Sequence, residues 1–336
     1  MRSARYRPLL FGLAVVTAAT ALLPIVVGAL VTSHKAGMAF PDWPTSDGQG
    51  MFAYPWLKSA GDKFIEHGHR LAGILIGCVS IVFAVACFTL EPRRWVRWCG
   101  VGVLLAVITQ GMLGGGRVLA DARAIAMFHG AFAAAVFTFM SSVALFLSRS
   151  WNQPPALPTG TRLGALKVLA VVTPAILMVQ YSLGGLVRHL GTALYAHVAT
   201  AVVALACVIA TVVVAHRTRI GWLRRPAWLL GFAVFAQVLL GLAGWVTKFG
   251  FPALGYVAVE RSPAQIAVLT SHTVVGMLLL MTSIILLLRV ARIEWNRREV
   301  RQPFEQMIPK LASSTLTSTS LASPSLAPPM LEGSLR

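Results

Sequence analysis

The sequence predicts an all-α polytopic membrane protein, and three observations carry that prediction. The 336 residues are 57% hydrophobic, with a mean hydropathy of +0.73. Charged residues make up 12%, about half of the roughly 25% typical of a soluble domain. The apolar residues gather into eight runs, at about 9–31, 67–90, 95–115, 124–147, 164–187, 192–215, 226–247 and 264–289. Each run is close to the ~20 residues a helix needs to cross the hydrocarbon of a bilayer. A water-soluble globule of this composition would expose large apolar patches, and most of the chain is too apolar to be disordered.

The elements follow in order. The first run is too long for a secretory leader and lacks a small-residue cleavage site, so it predicts a retained helix. After it comes the longest connection, 32–63, rich in aromatic residues and proline: His34-Lys-Ala-Gly-Met-Ala-Phe-Pro-Asp-Trp-Pro44, then Met51-Phe-Ala-Tyr-Pro-Trp56. This mixture suits a segment packed on the membrane surface, or a lid. The remaining runs are joined by shorter connections. Twenty of the 29 Lys and Arg fall in the N-terminal segment, in the connections after runs two, four and six, and after run eight. The positive-inside bias then puts both termini in the cytoplasm of a multi-pass cell (inner) membrane protein. The net charge of +18 is assigned to that bias and to anionic lipid headgroups, not to nucleic acid. Residues 303–336, rich in Ser, Thr, Pro and Leu, predict a disordered cytoplasmic tail. Cys78, Cys87, Cys99 and Cys207 show no CxxC spacing, so neither a thiolate metal site nor a disulfide framework is expected.

An internal repeat runs through the chain. Helix three ends Gln110-Gly-Met-Leu-Gly-Gly-Gly-Arg117, helix five ends Gln180-Tyr-Ser-Leu-Gly-Gly-Leu-Val-Arg188, and helix seven ends Gln237-Val-Leu-Leu-Gly-Leu-Ala-Gly-Trp245. Helix one ends more loosely, Gly28-Ala-Leu-Val-Thr-Ser-His34. The next helix in each case carries a histidine near its start: His69, His129, His197 and His272. Either a two-helix unit is used four times or a four-helix unit is duplicated. All four histidines then lie near the outer surface. Four residues on, each has a small partner on the same helix face: Gly73, Ala133, Ala201 and Gly276. An imidazole beside an empty space suits a flat ring system, and bis-imidazole iron needs two such helices facing each other. The pairs would be His69 with His129 and His197 with His272. The bland alternative for any single one is a hydrogen-bonded interior histidine or a proton route. His34, His67, His189 and His216 do not share the pattern and read as interfacial.

Glu66 lies three residues before His69, so the two side chains face nearly the same way. It either caps or pairs structurally with Arg70 or Lys63, or it serves as a carboxylate beside the first macrocycle, taking a proton or stabilising a cation. The equivalent positions before the other histidines are Ala126, Leu194 and Leu269, which points to different work in the two halves. Arg70, Arg117 and Arg188 either bind haem propionates or snorkel to headgroups.

Glu66-His-Gly-His-Arg70, Gly37-Met-Ala-Phe-Pro-Asp-Trp-Pro44, Gln110-Gly-Met-Leu-Gly-Gly-Gly-Arg117 and the histidines at 129, 197 and 272 together resemble the haem A synthases of bacterial and mitochondrial inner membranes. The similarity covers about residues 9–290. It implies eight helices arranged as two pseudo-symmetric four-helix bundles: 1–152 with the substrate haem O site, and 153–302 with a haem B site. The tail 303–336 lies outside it. It implies successive hydroxylation of the C8 methyl of haem O to a formyl group, giving haem A for cytochrome oxidase. Haem O would sit between His69 and His129 and haem B between His197 and His272, with Glu66 as the catalytic acid residue. A haem O synthase is the implied neighbour, and the electron acceptor is not specified. Many bacterial members carry cysteine pairs in outer loops; here the matching positions are Phe40 and Ser46, and the loop around Gly191 has none. The competing readings are a dihaem b-type cytochrome that only relays electrons, and a transporter.

Overall fold

The computed structural model describes residues 6–155 and 161–319, with side chains as far as residue 297. Among the described residues the regular structure is helical apart from two isolated β-bridges, Ser46 with Gln49 and Phe251 with Tyr256. Eight helices are long and apolar enough to cross a membrane. They are α1 (Pro8–Ser33), α2 (Gly61–Leu90), α3 (Arg94–Leu119), α4 (Arg123–Leu147), α5 (Gly164–Leu190), α6 (Leu194–Arg217), α7 (Gly221–Phe249) and α8 (Pro263–Thr319). The chain is a multi-pass membrane protein, and large apolar side chains such as Leu75, Phe88, Val202 and Phe235 are exposed along these helices as lipid contact requires.

The chain divides into two units, Met1–Arg292 and Ile293–Arg336. The second carries the C-terminal part of α8, where Arg297 lies 4.0 Å from Glu294. The backbone of α8 stays helical to Thr319, past the expected start of the disordered tail at 303. The rest of that tail, 320–336, lies outside the described residues.

In the first unit, α1 packs on α2 and α4, α2 on α3, and α3 on α4, closing a ring of four. Its core is built where apolar faces meet: Leu10 and Ala14 of α1, Phe83 and Cys87 of α2, Val96 and Val103 of α3, Phe137 and Met140 of α4. Burying each such side chain contributes on the order of 1.5–3 kcal/mol where water is the alternative; against lipid, close packing and hydrogen bonds decide instead. In the second half α5 packs on α6 and α6 on α7. Helix α8 is tied to α7 by Gln265 donating to the Thr247 carbonyl at 2.9 Å and Arg289 donating to the Trp222 carbonyl at 2.7 Å. The halves meet where α4 packs on α5 and where Leu278 and Met281 of α8 pack on the first core. This arrangement is compatible with two related four-helix bundles.

Helix ends are set by local chemistry. Gly191 caps α5 in the left-handed region at φ 70°, where a side chain would be strained, and lets the chain reverse into α6 within three residues. On the opposite end of the bundle Arg93 lies 2.6 Å from Glu91 and donates to the Phe146 carbonyl and to Asn152. That knot fixes the short α2–α3 turn against the end of α4.

Candidate functional site

The four repeat histidines all lie within the first ten residues of α2, α4, α6 and α8. The fold brings them together in two pairs. The ring centres of His69 and His129 are 6.2 Å apart and their planes meet at 85°. Those of His197 and His272 are 6.3 Å apart at 81°. An atom bonded to one nitrogen of each ring at about 2 Å per bond would hold the ring centres about 6 Å apart. Nδ1 of His69 and Nδ1 of His272 are buried without a hydrogen-bond partner, which is costly for a polar atom away from water. Among the described residues no cluster of three or more His, Cys, Asp or Glu could hold a metal, so imidazoles in pairs are the donor set on offer. A pair of imidazoles at this separation would suit an iron macrocycle, which supplies the other four ligands itself.

The space beside each ring is made by glycine. A Cβ at Gly28 would lie 2.8 Å from Cε1 of His69; at Gly114, 3.0 Å from that of His129; at Gly184, 3.1 Å from that of His197; at Gly241, 3.4 Å from that of His272. So the preceding odd-numbered helix approaches the imidazole so closely that glycine fits best in the first three repeats, while at Gly241 a methyl would reach ordinary contact. Four residues before three of these glycines stands a glutamine. Gln110 donates to the His129 carbonyl and Gln180 to the His197 carbonyl, each at 2.9 Å. Gln237 Nε2 lies 3.3 Å from His272 Nε2. In the first repeat that position is Pro24, and no glutamine supports His69. His197 also donates from Nδ1 to the Gln180 carbonyl at 3.2 Å, which leaves its Nε2 as the lone-pair nitrogen. In the sequence these glutamines stand inside the repeat with nothing in their residue type to assign them a role. Their fixed four-residue offset from the glycine was the available signal.

Glu66 and Arg70 occupy a different place. The Glu66 carboxylate, 3% exposed, pairs with Arg70 Nη2 at 2.9 Å and accepts from the backbone N–H groups of Ala39 at 2.7 Å and Phe40 at 3.3 Å. Arg70 Nη1 donates to the carbonyls of Asp42 and Thr45 at 2.9 and 2.6 Å. The pair therefore anchors the long connection over the N-terminal end of α2. His67, expected at the interface, is instead fully buried there: its Nδ1 lies 3.0 Å from the Ser46 hydroxyl and its ring packs on Tyr54 at 4.7 Å. Phe40 is buried beneath the Arg70 guanidinium, 5.0 Å from its ring. Trp43 covers Gly115, where any side chain would collide with the indole. Asp42 accepts from the N–H groups of Asp47 and Gly48 at 3.1 and 2.8 Å. Slight burial raises its pKa, but hydrogen bonds from Thr45, Gly48 and Asp47 outweigh this and bring it down to about 2.

Arg117, at the end of α3, donates to the Gly37 carbonyl. Arg188, at the end of α5, donates to the Ala29 carbonyl at 2.7 Å, to the Ser33 hydroxyl at 2.9 Å and to the Leu269 carbonyl at 3.3 Å. No carboxylate contacts either guanidinium at ion-pair distance among the described residues. A cavity of about 540 Å³ lies between Lys35, Met38, Asp62 and Lys63, and one of about 340 Å³ lies between α6 and α7. Neither contains a paired histidine.

Residues 11–199 match the family model described as "COX15-CtaA: Cytochrome oxidase assembly protein". Among curated relatives, the Heme A synthase of Methylobacterium radiotolerans is 32% identical over 141 residues, which is 39% of this chain and 38% of that protein. The Heme A synthase of Paracoccus denitrificans is 31% identical over 131 residues, 36% of this chain and 33% of that protein. That of Alkalihalophilus pseudofirmus is 29% identical over 118 residues, 34% of this chain and 38% of that protein. The matched stretch thus spans less than two fifths of these relatives' lengths.

Proposed function

The chain belongs to the COX15-CtaA family of cytochrome oxidase assembly proteins, and on that premise we propose that it is an oxidoreductase converting the C8 methyl of haem O to the formyl group of haem A. The observation that carries the reading is the pair of imidazole pairs, with ring centres 6.2 and 6.3 Å apart. His69 and His129 hold the substrate haem O, and His197 and His272 hold haem B. The bound haem iron supplies the one-electron and oxygen chemistry, while the protein supplies binding, orientation and charge.

The chain's own residues do the rest. The glycines at 28, 114, 184 and 241 let the imidazoles stand clear of the odd-numbered helices. The Gln180 carbonyl accepts from His197 Nδ1 and so fixes that ring, since an outer hydrogen bond sets tautomer and orientation, while the Gln110 and Gln180 side chains hold the backbone carbonyls of His129 and His197 and Gln237 lies against the His272 ring. Among the described residues Arg117 and Arg188 are hydrogen-bonded to neutral oxygens, and so have charge to offer haem propionates at the outer face. Arg70 is already committed to Glu66 and to two loop carbonyls, and makes the weaker candidate. Glu66 is the carboxylate three residues before His69. Its three bonds give it a fixed position, and in the reaction it acts as a held negative charge that favours a developing cation, more than as a free proton acceptor. The loop it anchors excludes water from the outer rim of that half. The haem sites face the outside of the cell membrane, with both termini cytoplasmic, as the distribution of Lys and Arg supports. A haem O synthase delivers the substrate, and an acceptor outside the chain takes the electrons.

One observation favours a second reading, a dihaem cytochrome that relays electrons only. The Glu66 carboxylate already has three partners and a structural task. Extraction of the bound pigments separates the two. An oxidase yields haem O or haem A beside haem B, and Glu66→Gln keeps bound haem while haem A falls. A relay yields haem B alone, and a Glu66→Gln protein that makes haem A at the normal rate removes the role given to the carboxylate.

A further inference from the structure

Tyr181 follows Gln180 on α5, and neither the repeat nor the proposed ligand sets use it. Its surroundings connect the two histidine pairs. The Tyr181 hydroxyl donates to the Gly130 carbonyl at 3.4 Å, and Gly130 is peptide-bonded to His129. On its other side the peptide joins Tyr181 to the Gln180 carbonyl, which accepts from His197 Nδ1 at 3.2 Å. The ring edge faces α8 at Gly276, where a Cβ would sit 3.9 Å away, one helical turn beyond His272. A chain of covalent bonds broken by only two hydrogen bonds therefore runs from an imidazole of the second pair to the backbone of an imidazole of the first. Gln110 closes the first end, donating to the His129 carbonyl at 2.9 Å. Elsewhere between α4 and α5, Gly185 lies against Met127, and the His189 ring comes within 3.8 Å of a Cβ built at Gly130.

We propose that Tyr181 is the bridge through which electrons pass between the His69–His129 site and the His197–His272 site. This rests on the reading that both pairs hold haem. In the step, one electron leaves ferrous iron of the first site, which becomes ferric, and reduces ferric iron of the second. No bond forms or breaks, and Tyr181 begins and ends as a neutral phenol. The role is one of positioning and coupling, so the hydroxyl matters more than the bulk of the ring.

The test uses full-chain holoprotein carrying two spectrally distinct haems. A soluble ruthenium photoreductant injects one electron by flash, and the approach to equilibrium between the two Soret bands is followed. Tyr181→Phe, which keeps the ring, and Tyr181→Leu, which does not, both slow this phase several-fold, with haem content and low-spin signals unchanged. Ser182→Ala, whose hydroxyl bonds only within its own helix at the Met178 carbonyl, leaves it as in the unaltered protein. An unchanged rate in either Tyr181 variant with both haems bound overturns the bridge. Failure of the unaltered chain to bind a haem at each pair overturns the underlying reading instead, and is seen in the pigment content before any flash is given.

Discussion

The two halves carry nearly the same imidazole geometry under very different covers. In the first half, 27 residues connect α1 to α2, and the buried Glu66–Arg70 pair holds that connection by its backbone. In the second half, 13 residues connect α7 to α8, and no acidic residue precedes His197 or His272 at the Glu66 spacing. Ring separation differs by only 0.1 Å between the pairs. The difference teaches that the repeated glycine and histidine set the ring geometry, whereas the surroundings of each pair are decided by what folds over it. Support from behind the ring differs too: glutamine stands behind three histidines, and Pro24 behind the fourth.

Removing a ligand should break the comparison most sharply. His69→Ala abolishes one haem per chain and leaves the other, and His197→Ala does the reverse, as read by pigment extraction. Loss of both from either variant would mean that the halves do not bind independently. The glycine cradle gives a graded series. Gly28→Ala puts a methyl 2.8 Å from its imidazole and Gly241→Ala only 3.4 Å. Overpacking of this kind costs about 1–3 kcal/mol, so haem retention should fall most at Gly28, less at Gly114 and Gly184, and least at Gly241.

The cover of the first half is tested by Glu66→Ala, which strands Arg70 in a buried site. Breaking a buried pair from one side costs about 3–5 kcal/mol, so thermal unfolding should come earlier and protease should cut within 34–60, while the second-half haem spectrum stays unchanged. Glu66→Gln, which can still accept from Ala39, should lose less. Support behind the ring is a smaller matter. Gln110→Ala and Gln237→Ala should each weaken haem retention in their own half by about ten- to a hundredfold, measured by haem transfer to apomyoglobin.

The smallest effect is acid sensitivity of the two covering loops. Lys35 bonds Glu260, linking the two covers, and holds its carboxyl below the ordinary value of 4.5; Asp42 is held at about 2. A lowered folded-state pKa contributes stability above the unfolded value, and that stability is lost as pH falls through the folded one. The covers should therefore stay closed at neutral pH and loosen only below about pH 4, read by hydrogen exchange in 34–60 and 250–262.

Much of this was legible in the sequence because it is periodic. Eight apolar runs gave eight helices, and four histidines at one repeat position pointed to two pairs. The loop was not legible. Glu66 is bound by the N–H groups of Ala39 and Phe40, and a backbone donor leaves no mark in side-chain pattern. His67 differs from His69 only by two positions along α2, and its burial depends on Ser46 and Tyr54, which the loop brings from 21 and 13 residues away. The length of α8 is not legible in the sequence, because its polar continuation has no apolar period to announce it.

The most direct test of the whole account is the metal content and low-spin signal of the purified full chain, taken with His69→Ala and His197→Ala. The account predicts two bis-imidazole irons in the unaltered protein, one in each variant, and a different one lost in each. A preparation without haem from cells supplied with it, or variants that keep both irons, would contradict it.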